Sequence, residues 1–217
     1  MLSTDTVAAE AMNRGLLITI EGLDGAGKTT LATALGDALG ERSIDLRLLR
    51  EPGGVHAAER IRELVTDPGV DIGPRAEALL YAAARAQLVQ EAIEPLLRSG
   101  TSVLLDRFID SSLAYQGGGR ELGVGAVRRI NEFATGHLQP DRTLLLVVDP
   151  AVGLSRSQAR GAPLDRLERE DDAFRQRIAS VYAELAAAEP DRIRLIDAAK
   201  PPDDVLAAAL RELSDLI

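Results

Sequence analysis

Gly22-Leu23-Asp24-Gly25-Ala26-Gly27-Lys28-Thr29 follows the spacing G-x-x-x-x-G-K-[ST]. Glycines at these steps let the backbone turn so that successive N–H groups aim at one set of oxygens, and a helix starting there adds its positive end. A lysine at Lys28 reaches β- and γ-phosphates as a point charge, and a hydroxyl at Thr29 suits Mg²⁺. The chemistry is that of holding a nucleoside triphosphate by its phosphates. The chain has 25 Lys+Arg, of which only Lys28 and Lys200 are lysine. In a chain that otherwise uses arginine, a lysine in this loop argues for a required ammonium.

Which phosphate chemistry follows is narrowed by what stands elsewhere. No Asn-Lys-x-Asp tetrapeptide occurs to read guanine, and no strand-end Asp-Glu pair of the motor ATPase kind occurs. The strand ends read Leu104-Leu105-Asp106-Arg107 and Val147-Val148-Asp149-Pro150. An arginine beside a strand-end aspartate suits a second phosphate close to the first, which points to a small kinase acting on another nucleotide. The ordinary alternative for Asp106 and Arg107 is a surface ion pair worth about 0–1 kcal/mol.

These residues need a scaffold, and the hydrophobic pattern supplies one. Short apolar runs bounded by turn residues predict strands at Leu16–Glu21, Asp45–Arg50, Ser102–Asp106, Thr143–Asp149 and Arg192–Asp197. Helical spacing predicts helices over Thr29–Leu39, Ala57–Val65, Pro74–Leu97, Val124–Phe133, Ala151–Ala159, Asp171–Ala188 and Asp203–Leu216. The alternation indicates an α/β fold with a five-stranded parallel sheet and helices on both faces. Gly117-Gly118-Gly119-Arg120 reads as a mobile loop, and Arg156–Arg169 as a charged one interrupted by Gly161 and Pro163.

The 217 residues carry a net charge of −9 and no cysteine. The acidic balance argues against nucleic acid and anionic membrane as partners. Zero cysteine excludes disulfides, thiolate metal sites and a cysteine nucleophile, and is compatible with the cytoplasm. No apolar run, Leu144–Val148 included, is long enough to cross a bilayer. Residues 1–14 have no signal-peptide core and read as a loose extension. With no repeat and no composition shift after them, residues 15–217 read as a single domain. His56 and His137 stand alone and read as structural.

Four segments in this order resemble the thymidylate kinase family. They are Ile20–Thr30, Arg50-Glu51-Pro52-Gly53-Gly54, Asp106–Gly117 and Leu164-Asp165-Arg166-Leu167-Glu168. The likeness runs from about Leu16 to the end. It implies a P-loop kinase fold with a short lid, the reaction ATP + dTMP → ADP + dTDP with Mg²⁺, and a homodimer. By the same resemblance, Gly22, Gly25, Ala26, Gly27, Lys28, Thr29 and Thr30 hold ATP. Asp24 and Asp106 position Mg²⁺, water or Arg107, with Thr29 and Asp106 nearest the metal. Arg107 contacts the dTMP phosphate, and Arg50, Glu51 and Arg62 complete the acceptor end. Arg62 also fits a solvated helix face beside Glu59 and Glu63. Tyr81 and Arg85, four apart on one helix face, take the place of an aromatic that stacks on thymine and an arginine that meets its O4. The family more often has Phe at the position of Tyr81. Ser112 and Gln116 address the polar edge of the base, Tyr115 closes off the 2′ position, and Ser111 reads as a helix cap. Asp197–Pro201 flanks adenine. Members without a P-loop arginine bring transition-state charge from the lid, which makes Arg156 or Arg160 the candidate here. The alternatives are a P-loop kinase for another nucleoside monophosphate and a non-catalytic ATP-dependent switch.

Overall fold

The computed structural model describes residues 14–159, 161 and 165–217. Five strands form one parallel sheet: β1 (Leu17–Gly22), β2 (Leu46–Arg50), β3 (Ser102–Asp106), β4 (Arg142–Val147) and β5 (Ile193–Asp197), in the order β2-β3-β1-β4-β5. The predicted strands are all present, with ends shifted by a residue or two. β4 stops before Asp149, whose Oδ1 accepts the N–H of Ala151 at 2.8 Å and opens the next helix instead.

Alternation along the strands builds two cores. Leu17, Val103, Leu105, Leu145 and Ile193 face one side. Ile18, Ile20, Leu104, Leu144, Leu146 and Ile196 face the other. The second side is covered by α1 (Lys28–Glu41) and, at the far end of the chain, by a helix over Pro202–Glu212. The intervening helices are α2 (His56–Thr66), α3 (Pro74–Leu88), α4 (Glu94–Arg98), α5 (Ile109–Ser112), α6 (Val124–Thr135), α7 (Pro150–Ala159) and α8 (Asp172–Ala188), of which α3, α4, α5, α6 and α8 pack into the core of the first side; Pro202–Glu212 is α9. On this first face β1 presents Thr19 and Glu21, both fully buried and polar; Thr19 Oγ1 lies 2.8 Å from Thr143 Oγ1.

Two expectations change. The long helix predicted over Pro74–Leu97 is interrupted by a π-helical turn at Val89–Ile93, where the N–H of Glu94 reaches back to the carbonyl of Val89. Pro95 follows at once; it has no N–H to give and would crowd the carbonyl four residues back, and the wider turn accommodates it. The second change concerns Gly117–Arg120. The segment is no mobile loop but part of a buried π-helical stretch, Leu113–Gly119, packed on α8. A Cβ on Gly118 would sit 2.5 Å from Val181, and one on Gly119 would sit 2.6 Å from the ring of Phe174. Glycine is there for close approach of two helical segments. Gly119→Ala is therefore expected to destabilise the fold by about 1–3 kcal/mol, read as a shift in the urea midpoint; an unchanged midpoint would contradict the packing.

Register brings the candidate residues to one edge. Ile20 and Arg50 both align with Asp106, so the ends of β1, β2 and β3 lie side by side at the carboxyl edge of the sheet. Backbone bonds carry the alignment past the strands: Glu51 N–H donates to Asp106 O (2.9 Å) and Arg107 N–H to Ile20 O (3.0 Å). Arg14, expected in the loose extension, forms an ion pair with Asp141, whose other oxygen accepts the N–H of Leu17 at 2.8 Å. Residues 1–13 lie outside the described residues.

Candidate active site

At the carboxyl edge a cleft of about 990 Å³ is lined by the P-loop, the ends of β2 and β3, one face of α3 and the segment after β5. Gly25 (φ +77) and Gly27 (φ +96) occupy the left-handed region, where a Cβ is costly. At Gly25 a Cβ would also lie 1.9 Å from the carbonyl oxygen of Gly153, so the loop is clasped against α7. Lys28 folds over the loop, its Nζ donating to Gly22 O (3.1 Å) and Leu23 O (2.8 Å). Thr29 Oγ1 donates to Asp106 Oδ2 at 2.8 Å.

Arg107 stands between the two halves of the cleft in a left-handed backbone conformation (φ +71). Its guanidinium reaches Asp24 Oδ1 (2.5 Å), Gly22 O (3.1 Å), Ser111 Oγ (3.0 Å) and Tyr115 OH (3.2 Å), and lies 5.0 Å from the centre of the Tyr115 ring. Tyr115 OH donates to the other oxygen of Asp24 at 2.9 Å. Burial works against the Asp24 charge, but Arg107, Lys28 and Tyr115 outweigh it and hold the carboxyl at about 2. The P-loop aspartate is thus ionised across the physiological range and fixes Arg107 beside the phosphate cradle.

Beneath this layer, Glu21 accepts the N–H groups of Phe108 (2.7 Å) and Ser111 (3.2 Å) at the start of α5. Its second oxygen takes the hydroxyls of Ser111 (2.5 Å) and Tyr182 (2.9 Å). Ser111 is accordingly not the helix cap expected from sequence. The free N–H groups at that helix start go to a carboxylate from β1, which leaves the serine hydroxyl to bridge Glu21 and Arg107. Burial, and next to it Asp110, push Glu21 upward.

At the far end of the cleft, Arg85 is almost fully buried. Nε donates to Glu51 Oε2 (2.8 Å) and Nη1 to Ser112 Oγ (2.9 Å) and to Asn131 Oδ1. Nη2 donates to Phe108 O (2.9 Å) and lies 2.6 Å from Glu51 Oε2. No nitrogen of the guanidinium lacks a protein partner, so an arriving base oxygen shares Arg85 with these acceptors. Glu51 Oε1 is buried with no hydrogen-bond partner among the described residues. Tyr81 lines the same pocket, and burial followed by the nearby Glu77 raises its phenol. Gln116 donates through Nε2 to Glu77 at 2.9 Å. Arg62 donates to Pro52 O at 2.9 Å, and Arg50 donates to both oxygens of Glu59 (2.9 and 3.1 Å).

On the donor side, Ala198, Lys200 and Pro202 line the wall, and Arg156 Nη1 donates to Ala198 O at 2.8 Å. Arg156 thus meets the segment expected to flank adenine. Arg160 lies outside the described residues, as does Leu164. The cleft brings together Asp24, Gly25, Ala26, Gly27, Lys28, Thr29 and Thr30 with Arg50, Glu51, Arg62, Tyr81, Arg85, Asp106, Arg107, Ser112, Tyr115, Gln116 and Arg156. Gly22 stands one step back, at the end of β1.

Sequence reasoning missed Glu77, Asn131, Glu21 and Tyr182. Glu77 had a signal: Glu77, Tyr81 and Arg85 are spaced by four and share one face of α3. Asn131 had none, because it sits on α6 and meets Arg85 only through the fold.

Lys28 carries a testable electrostatic consequence. Burial, and then the charge of Arg107, push its ammonium down to about 8, against the pull of Asp24, Asp106 and Glu21. A polyphosphate beside it raises that value. The free protein therefore holds fewer protons than the complex above about pH 8, binding takes protons up, and affinity for ATP falls as pH rises through that window. Calorimetry of ATP binding at about pH 8.5 in two buffers of different ionisation enthalpy is expected to show proton uptake. No uptake would contradict the assignment.

A phosphate-binding loop at the head of a parallel sheet, facing a second cationic pocket through a shared arginine, defines a P-loop phosphotransferase acting on a nucleotide. Comparison with known proteins gives the family: the model of the family described as thymidylate kinase matches residues 20–209. A protein named thymidylate kinase from Deinococcus radiodurans is 47% identical over 204 residues, covering 94% of this chain and 98% of its own. Another of that name, from Lactobacillus delbrueckii subsp. bulgaricus, is 46% identical over 201 residues, covering 91% and 95%. The chain belongs to the thymidylate kinase family, whose members are nucleoside monophosphate kinases.

Proposed function

We propose that the protein transfers the γ-phosphoryl group of ATP to dTMP, giving dTDP and ADP. The observation that carries this is the single cleft joining the Lys28 cradle to the Tyr81–Arg85–Gln116 pocket, with Arg107 between them. An acceptor phosphate oxygen needs no general base. It forms a bond to the γ-phosphorus as the bond to the β–γ bridging oxygen breaks, and the enzyme's work is alignment and charge neutralisation. In this reading the P-loop N–H groups and Lys28 hold the donor, while Arg107, Arg50 and Arg62 hold the acceptor phosphate. Tyr81 stacks on the base, Ser112 and Gln116 take its polar edge, Arg85 backs O4, and Tyr115 closes the 2′ side. Arg156 or Arg160 adds charge from the lid.

The donor set fits Mg²⁺. Thr29 Oγ1 and Asp106 Oδ2 are neighbouring hard oxygens at the mouth of the cradle. No cluster of three or more His, Cys, Asp or Glu occurs among the described residues. That suits an ion that keeps much of its coordination from water and phosphate. Thr29 and Asp106 would hold the ion, which would supply charge neutralisation at the donor phosphates.

The same proposal takes residues 15–217 as one catalytic unit, working in the cytoplasm as a homodimer, with no nucleic acid or membrane partner. Leu64, Leu79 and Phe133 are exposed on α2, α3 and α6, which pack in series, and they support an interface on that side. No helix among the described residues is long and apolar enough to cross a membrane.

A panel of dTMP, dUMP, dCMP, UMP and dGMP, assayed by ADP release, tests the reading. dTMP is expected to be preferred, with dUMP lower by about 10–200-fold, since one methyl group supplies only about 1–3 kcal/mol. dCMP is expected to be rejected more strongly, because its amine faces Arg85 donor to donor. Preference for another monophosphate would move the protein to that substrate. ATP binding with no transfer to any of them would favour a switch.

A further inference from the structure

Glu77 is fully buried in the first turn of α3, where an acidic side chain ordinarily stays in water. Its carboxylate is crowded with donors. Gln116 Nε2 lies 2.9 Å from Oε1, Arg120 Nε lies 3.3 and 3.1 Å from the two oxygens, and Arg166 Nη2 lies 2.6 Å from Oε2. Arg120 is itself fixed by Glu170 (2.5 Å) and by the ring of Phe174, and Arg166 by Val65 O (3.2 Å).

A carboxylate between two guanidinium groups can only accept hydrogen bonds. The side-chain amide of Gln116, which in isolation could present either end, must therefore give its NH₂ to Glu77. Its carbonyl oxygen is left at the opposite end, on a residue that lines the cleft, and no donor among the described residues reaches that oxygen. The pocket is left offering an acceptor.

We propose that Glu77 is a positioning residue for base selection: it locks the Gln116 amide with its oxygen toward the substrate, so that the site accepts a pyrimidine ring bearing N3–H and repels one whose N3 is itself an acceptor. This rests on the reading of the cleft as a pyrimidine monophosphate site. Thymine and uracil carry the ring N–H, and cytosine does not. Arg120 and Arg166 hold Glu77 in place, so the polarity of Gln116 is set without contact between Glu77 and the base.

The test is Glu77→Gln in the full chain, comparing kcat/KM for dTMP and dCMP. A glutamine can donate as well as accept, and it releases the lock. The dTMP-to-dCMP ratio is expected to fall by about tenfold or more, through KM for dTMP, with KM for ATP unchanged. In a Gln116→Ala background the same substitution is expected to leave the ratio alone. A loss shared equally by both substrates, with the ratio unchanged, would mark Glu77 as merely structural and overturn the proposal. Should Glu77→Gln fail to fold, Glu77→Asp keeps the charge while drawing the carboxylate back by one methylene, and the ratio is expected to fall there too; an unchanged ratio overturns the proposal equally. A wild-type protein with no preference for dTMP over dCMP would instead overturn the substrate reading beneath it.

Discussion

Lys28→Met is expected to lower kcat by about 10²–10³-fold, the scale of losing one preorganised electrostatic group from a transition state. The reason is geometric as well as electrostatic. The ammonium is held over the loop by Gly22 O and Leu23 O, within reach of the charges of Asp24 and Arg107. Methionine keeps an unbranched apolar stem one atom shorter, so the fold is expected to persist while transfer fails. A guanidinium is not equivalent, because its planar fork cannot occupy a site shaped for a point charge; Lys28→Arg is expected to remain strongly impaired. Single-turnover kinetics with saturating ATP check both variants, and activity within a few-fold of wild type would remove the loop from the chemistry.

Arg85→Met is expected to cost about 3–5 kcal/mol of stability, because breaking a buried ion pair from one side strands the other charge. The stranded group is Glu51. Burial already lifts its carboxyl to about 7 against the countering charge of Arg85. Without that charge it is expected to rise further and to bind a proton. The sign of the pH effect follows: a carboxyl whose folded value lies above its unfolded one favours the fold at low pH. The variant is therefore expected to gain stability relative to wild type as pH falls toward about 7, and below that, where the wild-type carboxyl is protonated too, the difference levels off. Adding Glu51→Gln to Arg85→Met is expected to recover a good part of the loss. Urea titrations across pH check this; a single variant as stable as wild type, or a double variant no better than the single, would contradict the pairing. Asn131 and Ser112 also lose a donor in the variant, so dTMP is expected to bind more weakly in either background.

The parts of the site that were legible in the sequence are those whose chemistry is local. Gly25 and Gly27 take positive φ in a loop of contiguous residues, and Lys28 and Thr29 follow directly, so spacing alone declares them. Asp106 and Arg107 end a short apolar run and could be placed at a strand end without knowing the neighbours. Tyr81 and Arg85 share a helix face, and that too is a local fact. The misreadings came from groups whose surroundings belong to distant segments. Gly118 and Gly119 look like flexibility until Val181 and Phe174, some sixty residues on, are seen against them. Glu77 looks like an acidic residue complementing a helix start until Gln116, Arg120 and Arg166 converge on it. Ser111 looks like a cap because serine often is one, and only the pairing of β1 with β3 brings in Glu21 to take that role.

The same distinction orders the two halves of the cleft. The phosphate cradle of the donor end is built on one continuous segment that leads directly from β1 into α1. The acceptor end is assembled from α3, the segment after β3, and α6, and its polarity depends on buried pairs: Arg85 with Glu51, and Glu77 with Arg120 and Arg166. Specificity is accordingly more sensitive than phosphate binding to substitutions that never touch the substrate.

The most direct measurement is a crystal structure with dTMP and a non-hydrolysable ATP analogue bound together. The account predicts the thymine ring against Tyr81, its O4 on the Arg85–Ser112 side, its N3 facing the Gln116 oxygen, and its phosphate at Arg107 opposite the γ-phosphate over Lys28. A dTMP found elsewhere, or bound with its phosphate turned away from Arg107, would contradict it.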